Sequence, residues 1–491
     1  MVIEDDAGAF LDIIGNGGTI RRAPGDELFR LFHVRPLTVE PVTRFTGEVE
    51  FQTITLTGGR YDASSDVNNV SGGGAILAER PLDLLLSELS DNRVVGNGNG
   101  GAILASAAVR SNVNVYRDNS ADVLDVGAAS GGAIAISSGG ELSASDDYYL
   151  NNSATNGGAI FLELGSDTAF IGRTAFENNT ADSLGGAIFN RTSGTSGFVS
   201  QNSTYVGNEA GVSGGAIYSQ STRRATFNHL TVVDNSAING GGIIAERITG
   251  NQAPILFNLI LADNVGGNCA TIGSPLPLSI SILSRDNLVT DETCGSSGVI
   301  ALADSSGLFS GGFVNNGGRT QTFALAANSP AIDAASVCGS LQDQRAFERP
   351  DGNRNLEGGL CDAGAFEVDR TTADSDGDNV PDTEDAFPND PFESADTDGD
   401  GTGDNADAFP NDPNESADTD SDGVGNNSDA FPDDPDETVD TDSDGVGDNS
   451  DAFPDDPNES ADTDGDEVGD NADAFPNDCL LYTSPSPRDR G

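Results

Sequence analysis

The chain has 491 residues, and 80 acids against 23 bases give it a formal net charge of -57. Every base is Arg, Gly reaches 62, and there are two His, one Met and no Trp. Such a surface repels phosphate, which excludes nucleic-acid binding, and it carries no basic amphipathic helix for a membrane surface. No run reaches ~18 consecutive apolar residues, so no spanning helix is expected.

From the start, MVIEDDAGAFLDIIG reads as a strand with neither a basic n-region nor an apolar h-region. The natural N-terminus is therefore expected to lie upstream. A repeat follows. GGAI occurs at Gly73–Ile76, Gly100–Ile103, Gly131–Ile134, Gly157–Ile160, Gly185–Ile188 and Gly214–Ile217, with GGGI at Gly240–Ile243. The spacing is 26 to 31 residues. Ahead of the Gly pairs stand Leu89/Asn92, Tyr116/Asn119, Tyr149/Asn152, Phe176/Asn179, Tyr205/Asn208 and Val232/Asn235, and Asp263-Asn264 suggests a further turn. Segments such as AIFLEL and TFNHLTVV are strand-length and bounded by Gly, Asn, Asp and Ser. Three short strands per repeat make one rung of a parallel β-solenoid. Ile76, Ile103, Ile134, Ile160, Ile188, Ile217 and Ile243 are the expected interior column. The next residues (Leu77, Leu104, Phe161, Phe189, Tyr218) are apolar too and leave the register open. The Asn residues are expected to stack as an amide ladder, tolerating left-handed backbone at a turn.

GGAI with aromatic-x-x-Asn resembles the repeat of chlamydial polymorphic outer-membrane proteins, and more widely the pectin-lyase-like superfamily. The resemblance implies an all-β fold, a right-handed parallel β-helix, over residues 1–310. It leaves function open, because this fold carries both adhesins and enzymes.

Residues 311–370 form a second module. SPAID at Ser329–Asp333, DQR at Asp343–Arg345, RP at Arg349–Pro350 and CDAGAFE at Cys361–Glu367 closely resemble the end of the bacterial choice-of-anchor Q domain. Ala346 stands where that family has Gly after DQR. The resemblance implies a module that closes a β-helix ahead of a surface anchor. Asp343, Arg345 and Arg349 are expected to form an Arg–carboxylate network at the solenoid end rather than a catalytic group. Four cysteines, Cys269, Cys294, Cys338 and Cys361, allow three pairings, and separations of 25 and 23 favour Cys269–Cys294 and Cys338–Cys361. Disulfides in an exported protein are expected, with buried free thiols as the alternative. His33 and His229 are isolated, and His229 is expected to face solvent.

Composition shifts sharply near Asp369–Ala373. Residues 373–478 hold 38 acids and no base. Within 371–478, AFP recurs at Ala386, Ala408, Ala430, Ala452 and Ala474, a period of 22. Each copy places Asp at positions 1, 3, 5 and 12 of a loop, with Asp, or Asn in the third copy, at position 9. The sets are Asp374, Asp376, Asp378, Asp382, Asp385; then Asp396, Asp398, Asp400, Asp404, Asp407; then Asp418, Asp420, Asp422, Asn426, Asp429; then Asp440, Asp442, Asp444, Asp448, Asp451; and Asp462, Asp464, Asp466, Asp470, Asp473. Ca²⁺ takes 6–8 oxygens, and a wrapped loop turns these positions inward with a carbonyl at position 7. Gly401, Gly423 and Gly445 supply the sharp turn at position 6, where Asn379 and Glu467 predict weaker sites. The Pro-rich segments between loops exclude a helix–loop–helix hand. The pattern resembles thrombospondin type 3 calcium repeats, with Phe387, Phe409, Phe431, Phe453 and Phe475 as apolar plugs. Without calcium the charge predicts a disordered linker, and with it an extended rod.

Residues 479–491 (CLLYTSPSPRDRG) break every preceding pattern and resemble a translated sequencing adapter. A C-terminal anchor, the expected membrane or wall contact, would then be missing. The expected function is non-enzymatic surface display: a β-helix presented on a calcium-stiffened spacer to a cell-surface glycan or protein ligand. The expected location is the outside of a bacterial cell, on its outer membrane. The alternative is a polysaccharide lyase or glycoside hydrolase. That chemistry needs an Arg among acids on adjacent rungs, or paired carboxylates. Glu79, Glu163 and Glu246 are scattered, whereas Arg173, Arg191, Arg223 and Arg224 lie on neighbouring rungs. No Thr-x-Thr column recurs to suggest ice binding.

Overall fold

A computed structural model describes residues 2–5, 11–22, 30–36, 48–64, 72–123, 128–137, 139–163, 169–191, 197–220, 224–246, 254–270, 284–295, 298–349, 360–368, 376, 378, 380 and 384–477. Among these, every regular element is a β-strand. The strands form sheets of ten, sixteen and seven. Successive repeats pair in parallel and in register, Ile76 on Ile103, Ile103 on Ile134, and so on to Ile217 on Ile243. The chain is thus a parallel β-solenoid whose rungs are the GGAI repeats.

The register is now fixed. The Ile column is wholly buried and joins the main core. Leu104, Phe161, Phe189, Tyr218 and Ile244, one residue on, form a separate cluster on the other face of the same sheet. Each buried Ile contributes roughly 1.5–3 kcal/mol, and only when its neighbours are stacked. Tyr116, Tyr149, Phe176 and Tyr205 stack in the interior at 4.7–4.8 Å with planes within 7°.

Every rung turns through left-handed backbone. The first corner is the Gly pair. Gly100 and Gly131 have φ of +71° and +72°. A Cβ on the second glycine of the pair would lie 2.0–2.3 Å from the carbonyl of the next rung, from Gly74 through Gly215. Only Gly permits that approach. At the second corner the ladder forms as expected. Asn92, Asn119, Asn152, Asn179, Asn208 and Asn235 are buried, and each Oδ1 from Asn119 onward accepts both the backbone and the side-chain N–H of the Asn one rung earlier. The left-handed residue is not the ladder Asn, however. It is the residue before it: Asp91, Asp118, Asn151, Asn178, Gly207, Asp234 and Asp263. That frees the ladder Asn to point inward.

A third corner has no marker in the sequence. Leu86, Val113, Asp146, Arg173, Asn202, His229, Asn258 and Asp286 are all left-handed. Directly after them, Ser87, Asn114, Asp147, Thr174 and Ser203 form a second buried polar column. The N–H of Ser87 donates to Asn114 Oδ1 at 2.8 Å, and that of Asn114 to Asp147 Oδ1 at 2.8 Å.

The cysteines pair as Cys269–Cys294 and Cys338–Cys361, with Cα separations of 4.9 and 5.4 Å. The chain divides into two compact units, residues 1–368 and 369–491. The 311–368 module belongs to the first. It does not cap the solenoid end but packs on the flank of the second sheet. Leu308, Phe323, Leu325, Ala331, Ala363 and Phe366 bury Val233, Ile260, Ala262 and Leu288. Ser336 to Ser340 cross the rungs along the third corner: Ser336 meets Asp286, Val337 meets Asn258, Cys338 meets His229, Gly339 meets Asn228 and Ser340 meets Asn202.

Candidate metal centres

The acidic loops build themselves from local hydrogen bonds. In the second loop Asp396 at position 1 accepts the N–H of Gly399 and Gly401 at 2.7 and 3.1 Å. Asp398 accepts the N–H of Asp400, Asp400 that of Thr402, and Asp407 that of Phe409. The same contacts recur in the third loop. One oxygen of the position 3 and position 12 carboxylates thus organises the turn. The other is left over. Oδ2 of Asp398, Asp420 and Asp442 at position 3, and of Asp385, Asp429 and Asp451 at position 12, is buried without a hydrogen-bond donor.

The carboxylates converge. Positions 1, 3 and 5 lie with ligand atoms within 4.8 Å of one another in four loops: Asp396/Asp398/Asp400, Asp418/Asp420/Asp422, Asp440/Asp442/Asp444 and Asp462/Asp464/Asp466. In the first loop the cluster is Asp376, Asp378 and Asp385, positions 3, 5 and 12. Burial, and then the charges of Asp400, Asp407 and Asp396, raise Asp398 above the ordinary carboxylate range. Asp420 and Asp442 are raised in the same way, with Asp429 and Asp451 among the causes. Position 12 therefore faces position 3 electrostatically. Unpaired acceptors packed against like charges are a destabilised arrangement unless a cation joins them.

Position 9 behaves differently. Asp404, Asp448 and Asp470 are clasped by the hydroxyl and N–H of Thr397, Thr441 and Thr463 at position 2, and Asn426 accepts the N–H of Thr419. Those Thr hydrogen bonds lower the three Asp. Position 9 is thus occupied in holding the loop rather than joining the triad. Its partner, Thr every 22 residues, is visible in the sequence once position 2 is considered. Asp473 at position 12 of the last loop accepts the N–H of Phe475. Asp374, Asp382 and Asn379 lie outside the described residues.

The Phe residues are not the plugs between loops. Phe387, Phe409, Phe431 and Phe453 are half-buried and Phe475 is exposed. Buried glutamates take that place: Glu393, Glu415, Glu437 and Glu459.

Arg173 pairs with Asp146 at 2.7 Å and Arg191 pairs with Glu163, so this stretch is a set of ion pairs between rungs. Arg223 lies outside the described residues. Glu79 meets His33, and Glu246 accepts from Tyr218 and Gln220. Among the described residues of the solenoid two places bring an Arg to two acids: Arg110 reaches Glu48 at 2.8 Å and Asp83 at 3.4 Å, and Arg117 reaches Glu88 at 2.6 Å and Asp118 at 3.2 Å. In the module Arg345 pairs with Asp343 and Arg349 with Glu367, all buried. This network ties the module's own turns together, and it meets the flank where Arg349 reaches Asn202 at 3.5 Å. Arg349 also bonds the carbonyls of Asp362 and Gly364, and Gln344 bonds Thr204. His229 does not face solvent. It is fully buried, with φ of +50°, between Cys338 and Asn258. Burial, then the Arg349 charge, hold it well below the usual imidazole range.

Residues 173–191 match the Chlamydia polymorphic membrane protein repeat. The match covers less than one full repeat, from Arg173 at the third corner through Phe176 and Asn179 to the strand Ile188–Asn190. No curated protein and no solved structure matches the chain.

Proposed function

We propose that this is an exported, non-enzymatic surface protein in which the solenoid is a display or adhesion module and the acidic repeats are a calcium-stiffened spacer. The observation that carries the calcium reading is the set of buried, donor-free carboxylate oxygens at positions 3 and 12, repeated from loop to loop. Such a set favours a cation, and an all-oxygen loop suits Ca²⁺ better than the octahedral demands of Mg²⁺. The two disulfides support export, because such bonds persist in oxidising compartments. The solenoid with its polymorphic-membrane-protein-like rung supports placement at a bacterial surface, the outer membrane being the favoured site. The partner in this reading is a glycan or protein on a facing cell. A calcium titration with EDTA as control, followed by circular dichroism and small-angle scattering, tests it. Calcium is expected to order the repeats while the β-signal stays constant. An unchanged scattering profile at saturating calcium would sink the spacer mechanism.

A second reading, cleavage of an acidic polysaccharide, would rest on an Arg among acids, such as Arg110 with Glu48 and Asp83. Both acids already hold the Arg side chain, so no free base is presented. Release of unsaturated uronate from acidic glycans, lost in Arg110→Ala, would establish that reading over the first.

A further inference from the structure

We propose that Glu393, Glu415, Glu437 and Glu459 are one-way latches, each belonging to the linker after one loop and positioning the calcium loop that follows. This rests on the calcium reading above and concerns its regulation. Each glutamate is buried, an unusual setting for a carboxylate in so acidic a segment. Its Oε2 accepts a backbone N–H twelve residues on, from Asn405, Asn427, Asn449 and Asn471, at 2.8–3.0 Å. Those asparagines occupy position 10 of the next loop, two residues before its position 12 carboxylate. The same asparagines return a side-chain bond to the carbonyl just before the glutamate, Phe392, Asn414, Asp436 and Asn458, at 2.5–2.6 Å. Position 8 of the receiving loop is Gly403, Gly425, Gly447 or Gly469, and a Cβ there would lie 2.0–2.1 Å from the glutamate oxygen.

The three partners occur together or not at all. Loops two to five have the linker Glu, Gly at position 8 and Asn at position 10. The first loop has Thr371, Pro381 and Thr383 at the equivalent places. The glutamate carboxylates reach forward, into the loop after the linker, while the linker backbone is tied to the loop before it by the N–H of Ala386, Ala408, Ala430 and Ala452 donating to the carbonyls of Ser394, Ser416, Thr438 and Ser460. The backbone that carries position 12 is therefore preset by the preceding repeat. Loops two to five are expected to take calcium in a coupled, N-to-C directional manner, with the unlatched first loop the weakest.

Hydrogen–deuterium exchange with mass spectrometry on the full chain, across a calcium titration, resolves the loops separately. In the native protein the first loop is expected to gain protection at the highest calcium. Glu437→Ala is expected to raise the calcium midpoint of residues 440–451 roughly tenfold, equivalent to about 1.4 kcal/mol, from loss of a charge-assisted bond. Residues 418–429 should not move. Glu437→Gln, which keeps an acceptor, should fall between, and Gly447→Ala should reproduce the Ala shift by expelling the glutamate. An unmoved midpoint at 440–451, or equal shifts in both loops, overturns the latch. If no native loop responds to calcium, the calcium reading fails by itself. The latch is then judged in metal-free protein, where Glu437→Ala must speed exchange at residues 447–449 or the proposal falls too.

Discussion

Removing one rung of the asparagine ladder tests the physical basis of the solenoid. Asn152 makes four side-chain bonds. Its Oδ1 accepts from Asn119 N and Nδ2 at 3.2 and 3.0 Å, and its Nδ2 donates to Tyr116 O and Asn179 Oδ1, both at 2.9 Å. Alanine leaves the buried N–H of Asn119 without this acceptor, which costs about 1–3 kcal/mol, and removes other bonds worth about 1 kcal/mol each. The expected destabilisation is about 3–5 kcal/mol, large for one residue. The neighbouring Asn151 is exposed and left-handed, with φ of +53°. Asn151→Gly is expected to change stability by under about 1 kcal/mol, because Gly accepts that backbone. Urea unfolding followed by far-ultraviolet circular dichroism measures both, and exchange in the strands Val115–Arg117 and Ala175–Glu177 localises the damage. Solenoids unfold in segments, so the local readout decides. If Asn152→Ala costs no more than Asn151→Gly, the ladder is a consequence of stacking and not one of its causes.

Other outcomes are as definite. Asp147 is fully buried, and burial first of all raises its pKa to about 7. Its folded value exceeds its unfolded one, so the folded state holds the extra proton. The associated stability is complete below about pH 4 and is lost as pH rises to about 7. Asp147→Asn, the residue found one rung earlier at Asn114, should abolish that slope and stabilise the solenoid at pH 8 by roughly 3–5 kcal/mol, read by urea titration at several pH values. Gly158→Ala places a Cβ 2.1 Å from the Gly186 carbonyl and should prevent the rung from closing, seen as loss of soluble folded protein. Glu467 sits at φ +72° where loops two to four have Gly, so Glu467→Gly should strengthen the fifth loop by about 1 kcal/mol, or about fivefold in calcium midpoint. Reducing Cys338–Cys361 opens a loop of 23 residues and should loosen the flank module by about 3 kcal/mol, detected as faster proteolysis within residues 336–340.

Much of the solenoid was legible because its determinants are local and repeated. Gly pairs, the Ile column and the inward Asn each announce a backbone demand that recurs with the period. The third corner was not legible. Leu86, Val113, Asp146, Arg173, Asn202 and His229 share a left-handed backbone but no side-chain chemistry, so no pattern marks them. Left-handed backbone at Leu and Val costs free energy locally and persists only because stacked rungs impose it. In the acidic repeats the ligand spacing was legible and the division of labour was not. Position 9 has a ligand's spacing, and in this structure its side chain accepts from Thr at position 2. The buried glutamates were hidden among acids that are mostly exposed.

The placement of the 311–368 module follows from the same uneven corner. On rungs not covered by Ser336–Ser340, the third corner carries Leu86, Val113, Asp146 and Arg173. On the covered rungs it carries Asn202, His229, Asn258 and Asp286, each bonded to the crossing segment. The side chains become polar at Asp146 and stay polar through the covered rungs. The buried imidazole there is met by the backbone carbonyl of Cys338, a residue bridged to Cys361, and by the side-chain amide of Asn258. His229 alone gives no reason to expect burial. Its environment is written 109 residues away, in a segment whose only local signature is a cysteine and a glycine. Contacts of that range, made once and not repeated, are the ones that periodicity cannot reveal. They are also what fixes the module on the flank rather than at the end of the solenoid, leaving the last rung to be terminated by other means. The strand Val299–Ala301, paired with Asn287–Val289, supplies that termination in the second sheet. Its half-buried and exposed residues match an edge that faces solvent rather than another rung.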